Sequence, residues 1–363
     1  MPVVTVVTLN WNSFEDTREC LRSLDRVYYR PLDVIVVDNA SSDGSADLVH
    51  EWLSDNGMLA RVSEYSSDSC ELITIELFDP SRLPVHLILA PKNLGFCLGN
   101  NVGVAEAFGH GSDYALVLNN DTIAEPWMVD ELVIAAEETG AGLVGGVICH
   151  EPNRDLIWWA GGIFDKNLET RRLLAGEPIT ALQNTQPYTT QWISGCMTLI
   201  PRSTYNSVGG FDEDFFIWGD EWDLSLRVAR QGLPLVVAPS AKLFHRVGQS
   251  LGVLYPLSYY YGTRNRLMLK RKHLNPRRRR LTTAIFIVSR LPRYLQLLAQ
   301  GRLDLVAAGA SAIYDYFRGA TGEWAHHDRY TRPTPSDLMS REGAEARHGV
   351  VGIANQDDGN LTD

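Results

Sequence analysis

Between Val3 and Leu118 four apolar, β-branched-rich runs each break off at Asn, Asp or Lys, with helical sequence between them. Val3–Leu9 runs into Asn10 and Asn12, Val34–Val37 into Asp38 and Asn39, His86–Ala90 into Lys92 and Asn93, and Tyr114–Leu118 into Asn119, Asn120 and Asp121. The intervening "SFEDTRECLRSL" places Phe14, Leu21 and Leu24 at helical spacing; "ADLVHEWL" and a glycine-rich stretch through Phe108 read as two more helices. A run apolar at every position, such as Val34–Val37, marks a strand buried on both faces. Alternating strands and helices therefore predict an α/β fold with a mainly parallel sheet covered on both sides. In such sheets ligands bind beyond the carboxyl ends of the strands. The four polar breaks should surface together along that edge.

The remainder of the chain is less regular. Residues 54–85, with "SEYSSDSCE" and "DPSRLP", read as a surface excursion; short strands between Gly140 and Pro239 ("GLVGGVI", "GGIF", "WISGCMTLI", "LPLVVA") read as a mixed extension of the sheet. Past Tyr255 the composition turns aromatic and basic, with nine Lys or Arg and no acid from Arg264 to Arg280, and from His326 it turns polar. The expected division is a catalytic domain over 1–254, a basic, amphipathic helical appendage over 255–325 and a disordered tail over 326–363. A net charge of −11 argues against a general nucleic-acid binder, which needs a basic footprint. The five scattered cysteines form no C-x-x-C pair, which fits a reducing, cytoplasmic setting. "MPVVTVVTLNWN" reads as a first strand rather than a signal peptide, and no apolar stretch reaches the ~20 residues that span a bilayer.

Three groups carry candidate chemistry. Asp121, beside two amides at a strand end, suits a hard cation such as Mg2+, which takes one or two carboxylates plus substrate phosphates; it equally suits an Asx turn before Pro126. In "GDEWDLSLRVARQG" the residues Trp222, Leu226 and Ala229 share a helix face, Asp223 and Arg227 pair at i,i+4, and Asp220 and Glu221 fall at the helix N-terminus. Acids there complement the macrodipole; a carboxylate among aromatics and a second acid also has the raised pKa of a general base. His245, after a strand-like segment, is either structural or a metal ligand. "NLGFCLGNNVG" has the wrong glycine spacing, after the wrong strand, for a dinucleotide fingerprint, and no phosphate-loop motif occurs.

Taken in order, "VTLNWNS", "VIVVDNASSDGS", "NLGFCLGNNVG", "LVLNNDT" and "GDEWDLSLR" resemble the glycosyltransferase family 2 enzymes, nearest to the rhamnosyltransferase-like branch, over roughly residues 3–275. The resemblance implies a GT-A fold, a nucleotide-diphosphate sugar donor and a divalent metal, Mg or Mn. It implies that Thr8, Asn10 and Asp38 meet the nucleoside and that Lys92, Asn93 and Gly95 form the loop over the nucleotide. Asn119 and Asp121 stand at the outer positions of the family's DXD motif with Asn120 between them, and His245 stands where some relatives place a metal-binding His. Glu221 falls at the catalytic base, with Asp220 as its neighbour and rival, while Trp192, Ser194 and Gly195 match the wall between donor and acceptor. Asn119 in place of an acid leaves the metal one charge fewer, and Glu221 in place of Asp lengthens the base by one methylene.

The implied reaction is an inverting, metal-dependent transfer of rhamnose or a similar sugar to a saccharide or lipid-linked acceptor in cell-surface polysaccharide synthesis. A non-catalytic nucleotide-sugar-binding or membrane scaffold of the same fold is the alternative. A sugar-nucleotide pyrophosphorylase is disfavoured, because "LNWNSFEDT" lacks glycine after the first strand. "RNRLMLKRKHLNPRRRR" and "LTTAIFIVSRLPRYLQLLAQG" suit either a helical appendage on the catalytic domain or a helix on an anionic bilayer, which would make the protein peripheral on the inner face of the cell membrane.

Overall fold

The first strand, β1 (Val4–Asn10), pairs in parallel with β2 (Leu32–Asp38), and the two are joined by helix α1 (Phe14–Leu24). The computed structural model describes residues 1–66, 69–76, 78–246 and 256–327. After β2 come α2 (Ser45–Asp55), β3 (Leu59–Ser66), β4 (Ser69–Ile75), β5 (Val85–Leu89), α3 (Gly95–Gly109) and β6 (Tyr114–Leu118). Then follow β7 (Thr122–Ala124), α4 (Met128–Thr139), β8 (Leu143–His150), β9 (Ile157–Trp159), β10 (Gly162–Phe164), β11 (Thr170–Arg172), β12 (Tyr188–Thr189) and β13 (Met197–Pro201). The chain continues through α5 (Arg202–Val208), α6 (Asp220–Arg230), β14 (Leu235–His245), α7 (Pro256–His273), α8 (Pro276–Ala299) and α9 (Leu303–Arg318).

Among the described residues the main sheet has 12 strands, in the order β12-β14-β8-β13-β6-β1-β2-β5-β3-β4, with β7 on β14 and β9 on β8. β6, β1, β2, β5 and β3 are parallel neighbours, while β13 runs antiparallel between β6 and β8. This is the mainly parallel, mixed sheet of the sequence reading, flanked by helices. Its central strands are buried at nearly every position, as continuous apolar runs require.

Residues 59–75 differ from the expected excursion: they form two strands that extend the sheet edge, β3 parallel to β5 and β4 antiparallel to β3. The pattern concealed them because β4 buries neither face and leaves Leu72, Ile73 and Ile75 exposed, so no alternation marks it. The tail expected at 326–363 lies, from 328 onward, outside the described residues.

The glycine-rich stretch explains itself through packing. α3 lies on β1, and a Cβ at Gly103 would run into Val7 and touch Val37. The glycines let a helix approach the sheet closely, which replaces the phosphate role such runs suggest. Gly103→Val should therefore lower unfolding stability by about 2–3 kcal/mol through overpacking. Urea titration checks this; an unchanged midpoint would mean that α3 can lift from the sheet without cost.

Candidate active site

A chain of hydrogen bonds runs along the carboxyl edge of the sheet. Asn120 Nδ2 donates to Thr17 Oγ1 (2.9 Å), Thr17 Oγ1 to Asn10 Oδ1 (2.8 Å), and Asn10 Nδ2 to Asp38 Oδ1 (2.7 Å) and Ser45 Oγ (3.1 Å). Asp38 also receives the Ser41 amide (3.0 Å) and hydroxyl (2.6 Å). Asn10 and Asp38 are thus buried and spoken for by the protein, whereas the buried Thr8 Oγ1 has no partner. Thr17, Ser41 and Ser45 were not singled out by sequence. The available signal was a threonine on the buried face of α1 seven residues after Asn10.

Asn39 ties this edge to the next loop: its Nδ2 donates to Asn93 Oδ1 (2.9 Å) and Gly95 O (3.1 Å), and its Oδ1 accepts from Leu94 N (2.7 Å). Lys92 stands exposed at the start of that loop. Gly95 has φ +73°, and a Cβ there would strike Phe216. The Phe216 carbonyl accepts from Phe96 N (2.8 Å) and Cys97 N (3.1 Å), capping the start of α3.

Phe216, Trp218 and Gly219 all have positive φ (65°, 62° and 87°), which for the two aromatic residues costs on the order of 1–3 kcal/mol each. α7 holds them there. Asn265 Nδ2 donates to the carbonyls of Phe215 (2.9 Å), Ile217 (2.7 Å) and Trp218 (2.7 Å); Arg264, fully buried, reaches those of Asp214 (3.3 Å), Phe215 (3.1 Å) and Gly322 (2.7 Å). Sequence reading placed this segment outside the catalytic domain and missed both residues. Met1–Glu323 is one compact unit.

The strained turn delivers Asp220 and Glu221 to the N-terminus of α6. Glu221 is partly exposed, and its Oε2 accepts from Gly219 N (3.0 Å); Asp220 is buried and its Oδ2 has no partner. Burial and the charge of Glu221 push Asp220 well above the usual carboxylate range. Burial pushes Glu221 from 4.5 to about 7, against backbone hydrogen bonds, the Asp220 proton and the Arg266 charge. Asp223, the third acid nearby, turns away. It binds Arg227 Nε (2.7 Å), Lys272 Nζ (2.6 Å) and His273 Nε2 (2.7 Å), and these hold it well below the usual range despite its burial.

The second cluster is Asp121 with His245. β7 pairs with the end of β14, setting Thr122 opposite His245, and Arg246 N donates to Asp121 O (2.9 Å). His245 Nε2 then lies 3.1 Å from Asp121 Oδ1, both side chains nearly buried, and Asp121 Oδ1 has no hydrogen-bond partner. Burial opposes charge on His245, but Cys196 and Asp121 outweigh it and push the imidazole up to about 10. Trp158 meets the ring edge-on at 4.9 Å. Asn119 contributes backbone, its N–H donating to Cys196 O (3.1 Å) and its carbonyl accepting from Thr122 Oγ1 (2.6 Å). Among the described residues no cluster of three or more His, Cys, Asp or Glu could hold a metal.

One segment joins the two clusters. A Cβ at Gly195 would sit 3.6 Å from Glu221 Cβ and 3.5 Å from the Phe96 ring, while the thiol of the next residue, Cys196, meets His245, the partner of Asp121. Consecutive Cα atoms are about 3.8 Å apart, so the acid pair and the Asp–His pair flank the same few ångströms of chain. Ser194 shapes that segment by accepting from Thr198 Oγ1 (2.7 Å) through its carbonyl, and Trp192 is buried between Trp159 (5.7 Å) and Trp222 (6.3 Å).

Residues 2–257 match the family model described as Glycosyltransferase like family 2. The chain belongs to that family. It is similar to the N-acetylglucosaminyl-diphospho-decaprenol L-rhamnosyltransferase of Mycobacterium tuberculosis, at 26% identity over 276 residues, covering 69% of this chain and 78% of the relative. It is also similar to the dTDP-rhamnosyl transferase RfbF of Shigella flexneri, at 22% identity over 282 residues, 72% of this chain and 91% of the relative. Two solved structures share the fold. GalNAc-T7 with UDP, GalNAc and Mn2+ matches at TM-score 0.53 and 14% identity, over 76% of this chain and 52% of its own. S. aureus TarS 1-349 in complex with UDP-GlcNAc matches at TM-score 0.52 and 12% identity, over 87% and 81%. This family 2 glycosyltransferase therefore has the GT-A fold and rhamnosyltransferase relatives, as its motifs predicted.

Two outcomes test the site's physics. Asn265→Ala leaves the Ile217 and Trp218 carbonyls without their donor and Arg264 Nε without its acceptor, and should cost about 2–4 kcal/mol in urea unfolding; a loss under about 1 kcal/mol would mean the turn holds itself. The acid pair gives a pH signature. Carboxyls raised in the folded chain bind more protons folded than unfolded, so their stabilisation is complete below 4.5 and fades as pH rises through about 7. Glu221→Gln should raise the melting temperature at about pH 8 and do so less at about pH 5. The reverse order would contradict the raised carboxyls.

Proposed function

We propose that this glycosyltransferase moves rhamnose or a similar sugar from a nucleoside-diphosphate donor to a saccharide or lipid-linked acceptor in cell-surface polysaccharide synthesis, with inversion and with a divalent metal. The observation that carries the reading is the Gly195–Cys196 segment, with a raised carboxyl on one side and a paired carboxylate and imidazole on the other. The relatives' names supply the sugar: L-rhamnosyl and dTDP-rhamnosyl transfer.

In this reading residues 1–254 carry donor site, metal site and base, and 255–325 buttress the turn that presents the base. Glu221 is the base, because it is partly exposed, with its Cβ beside Gly195, while Asp220 is enclosed and held in the protonated form. It takes the proton as an acceptor hydroxyl attacks the anomeric carbon; the carbon–oxygen bond to the diphosphate breaks, and the nucleoside diphosphate leaves on the opposite face. One displacement inverts the anomeric centre. Thr8, with its unpartnered buried hydroxyl, and the Asn10–Asp38 network support the nucleoside, and Lys92, Asn93 and Gly95 border it. Trp192, Ser194 and Gly195 divide donor from acceptor.

The donor set fits a divalent ion. Asp121 Oδ1 and His245 Nε2 lie 3.1 Å apart and no other group completes that carboxylate oxygen, so a bound ion would take the place of the proton the imidazole carries. Asp121 and His245 would hold Mg2+ or Mn2+, with Asn119 beside them. When bound, the ion would neutralise charge building on the leaving diphosphate. With Asn119 lacking a carboxylate, donor phosphates would supply the remaining ligands.

The deciding experiment incubates the protein with Mn2+, dTDP-rhamnose or UDP-sugars and an acceptor extract, and measures released nucleoside diphosphate. Release with none of the donors would overturn the reading. Glu221→Gln should leave donor affinity within about twofold while removing turnover by about 10²-fold or more. Asp121→Ala should abolish the metal-dependent part of donor binding in calorimetry; unchanged metal-dependent heat would remove Asp121 from the metal site. The rate should rise with pH through about 7, where Glu221 becomes the carboxylate.

A further inference from the structure

Helix α8 is inside out for a helix in water. Its inward face carries Thr282, Thr283, Phe286, Arg290, Arg293 and Leu297, with Arg293 Nε donating to Tyr259 Oη at 3.1 Å and Arg290 lying over Phe286 at 4.6 Å. Its outward face carries Leu281, Ile285, Val288, Leu291, Leu295 and Leu298, between 46% and 66% exposed. These recur every three or four residues, so they form one stripe, about 25 Å long at 1.5 Å per residue. Between Leu281 and Ala299 every exposed residue of α8 is uncharged. A stripe of that extent facing solvent marks a contact surface.

The charge at one end says what covers it. Arg277, Arg278, Arg279 and Arg280 form the first turns of α8, and none of them takes part in an ion pair among the described residues; the Arg278 guanidinium donates to the Lys166 carbonyl. Cations at a helix N-terminus oppose the macrodipole, so the cluster is placed against local stability. The whole helix contains no acid, on a chain of net charge −11. The stripe offers only aliphatic side chains, Pro292, Ser289 and Gln296, without the Trp, Tyr or buried Arg that anchor protein interfaces. At 24 residues α8 is nonetheless not apolar enough to cross a bilayer, and neither is any other described helix.

We propose that the outward face of α8 lies in the interface of an anionic lipid bilayer, with Leu281 to Leu298 among the acyl chains and Arg277–Arg280 on the headgroup phosphates. The inference is independent of the sugar, the metal and the base, because it concerns a surface that none of them touches.

Flotation of the full chain with phosphatidylcholine vesicles containing about one-third phosphatidylglycerol, against pure phosphatidylcholine, tests it. The protein should float with the anionic vesicles and at least about fivefold less with neutral ones. Ile285→Glu with Leu291→Glu should cut the floated fraction by about fivefold or more, and Arg277–Arg280→Ala should remove the preference for phosphatidylglycerol. The milder pair Ile285→Ser and Leu291→Ser should fall between, and unchanged circular dichroism and nucleotide release separate the effect from misfolding. Failure of the unmodified protein to float, or equal flotation of the glutamate variant, overturns the proposal. So does a concentration-dependent dimer in sedimentation that the glutamate variant abolishes without vesicles, which would assign the stripe to a second copy.

Discussion

Three carbonyl groups converge on one side-chain amide, and the active-site geometry depends on that meeting. Asn265 Nδ2 bonds the carbonyls of Phe215, Ile217 and Trp218, and its neighbour Arg264 adds Asp214. A turn with two aromatic residues at positive φ does not hold itself, because each is sterically disfavoured there. Once held, the turn does two things with one backbone. The Phe216 carbonyl caps α3, and Gly219 opens α6 with Asp220 and Glu221 in its first turn. The start of α3 and the acid pair are thereby fixed to the same four residues, so the strained turn sets the distance between them.

The second constraint is electrostatic. Three acids occupy Asp220 to Asp223, and the chain separates them by assigning different partners. Asp223 receives Arg227, Lys272 and His273, and its charge is cancelled locally. Asp220 and Glu221 receive no such full compensation, and burial drives both upward. The same sequence run therefore contains one permanent anion that anchors α7 and one pair that burial holds above the usual carboxylate range. Much of the basic run that gave the C-terminal segment its peripheral look is spent in this way: Lys272 and His273 on Asp223, Lys270 on Glu169, Arg264 on carbonyls.

What sequence made legible follows from periodicity. β1, β2, β5 and β6 announced themselves as continuous apolar runs, and their polar ends did gather: Asn10 with Asp38, Asn39 with Asn93, Asn120 through Thr17 to Asn10. Asn265 was invisible because its hydrogen bonds reach carbonyls about 50 residues away, and Thr17 because a threonine on a helix breaks no local pattern. β4 was invisible for the opposite reason, since a strand exposed on both faces leaves no alternation to detect. The choice between Glu221 and Asp220 could not be made from adjacency in sequence. The structure sets them apart by exposure, since Glu221 is partly exposed beside Gly195 and Asp220 is enclosed.

α7 also explains why α8 is turned outward. A helix that buries Tyr260, Arg264, Asn265 and Lys270 to serve the active-site turn and its surroundings presents polar and aromatic groups to its neighbours. Lys270 lies over Phe286 at 5.3 Å, and Arg290 lies over the same ring at 4.6 Å, so the α8 phenylalanine is flanked by two cations. Against α7 and α9 the inward side of α8 buries Thr282, Thr283, Phe286 and Leu297, and six other aliphatic residues, from Leu281 to Leu298, stay exposed on the far side. In water that arrangement leaves hydrophobic area exposed, and the loss grows with each leucine. A bilayer interface reverses the sign of that term without any rearrangement of α7. The polar support under the acid pair and the apolar stripe that faces outward thus lie on successive helices of one packed group.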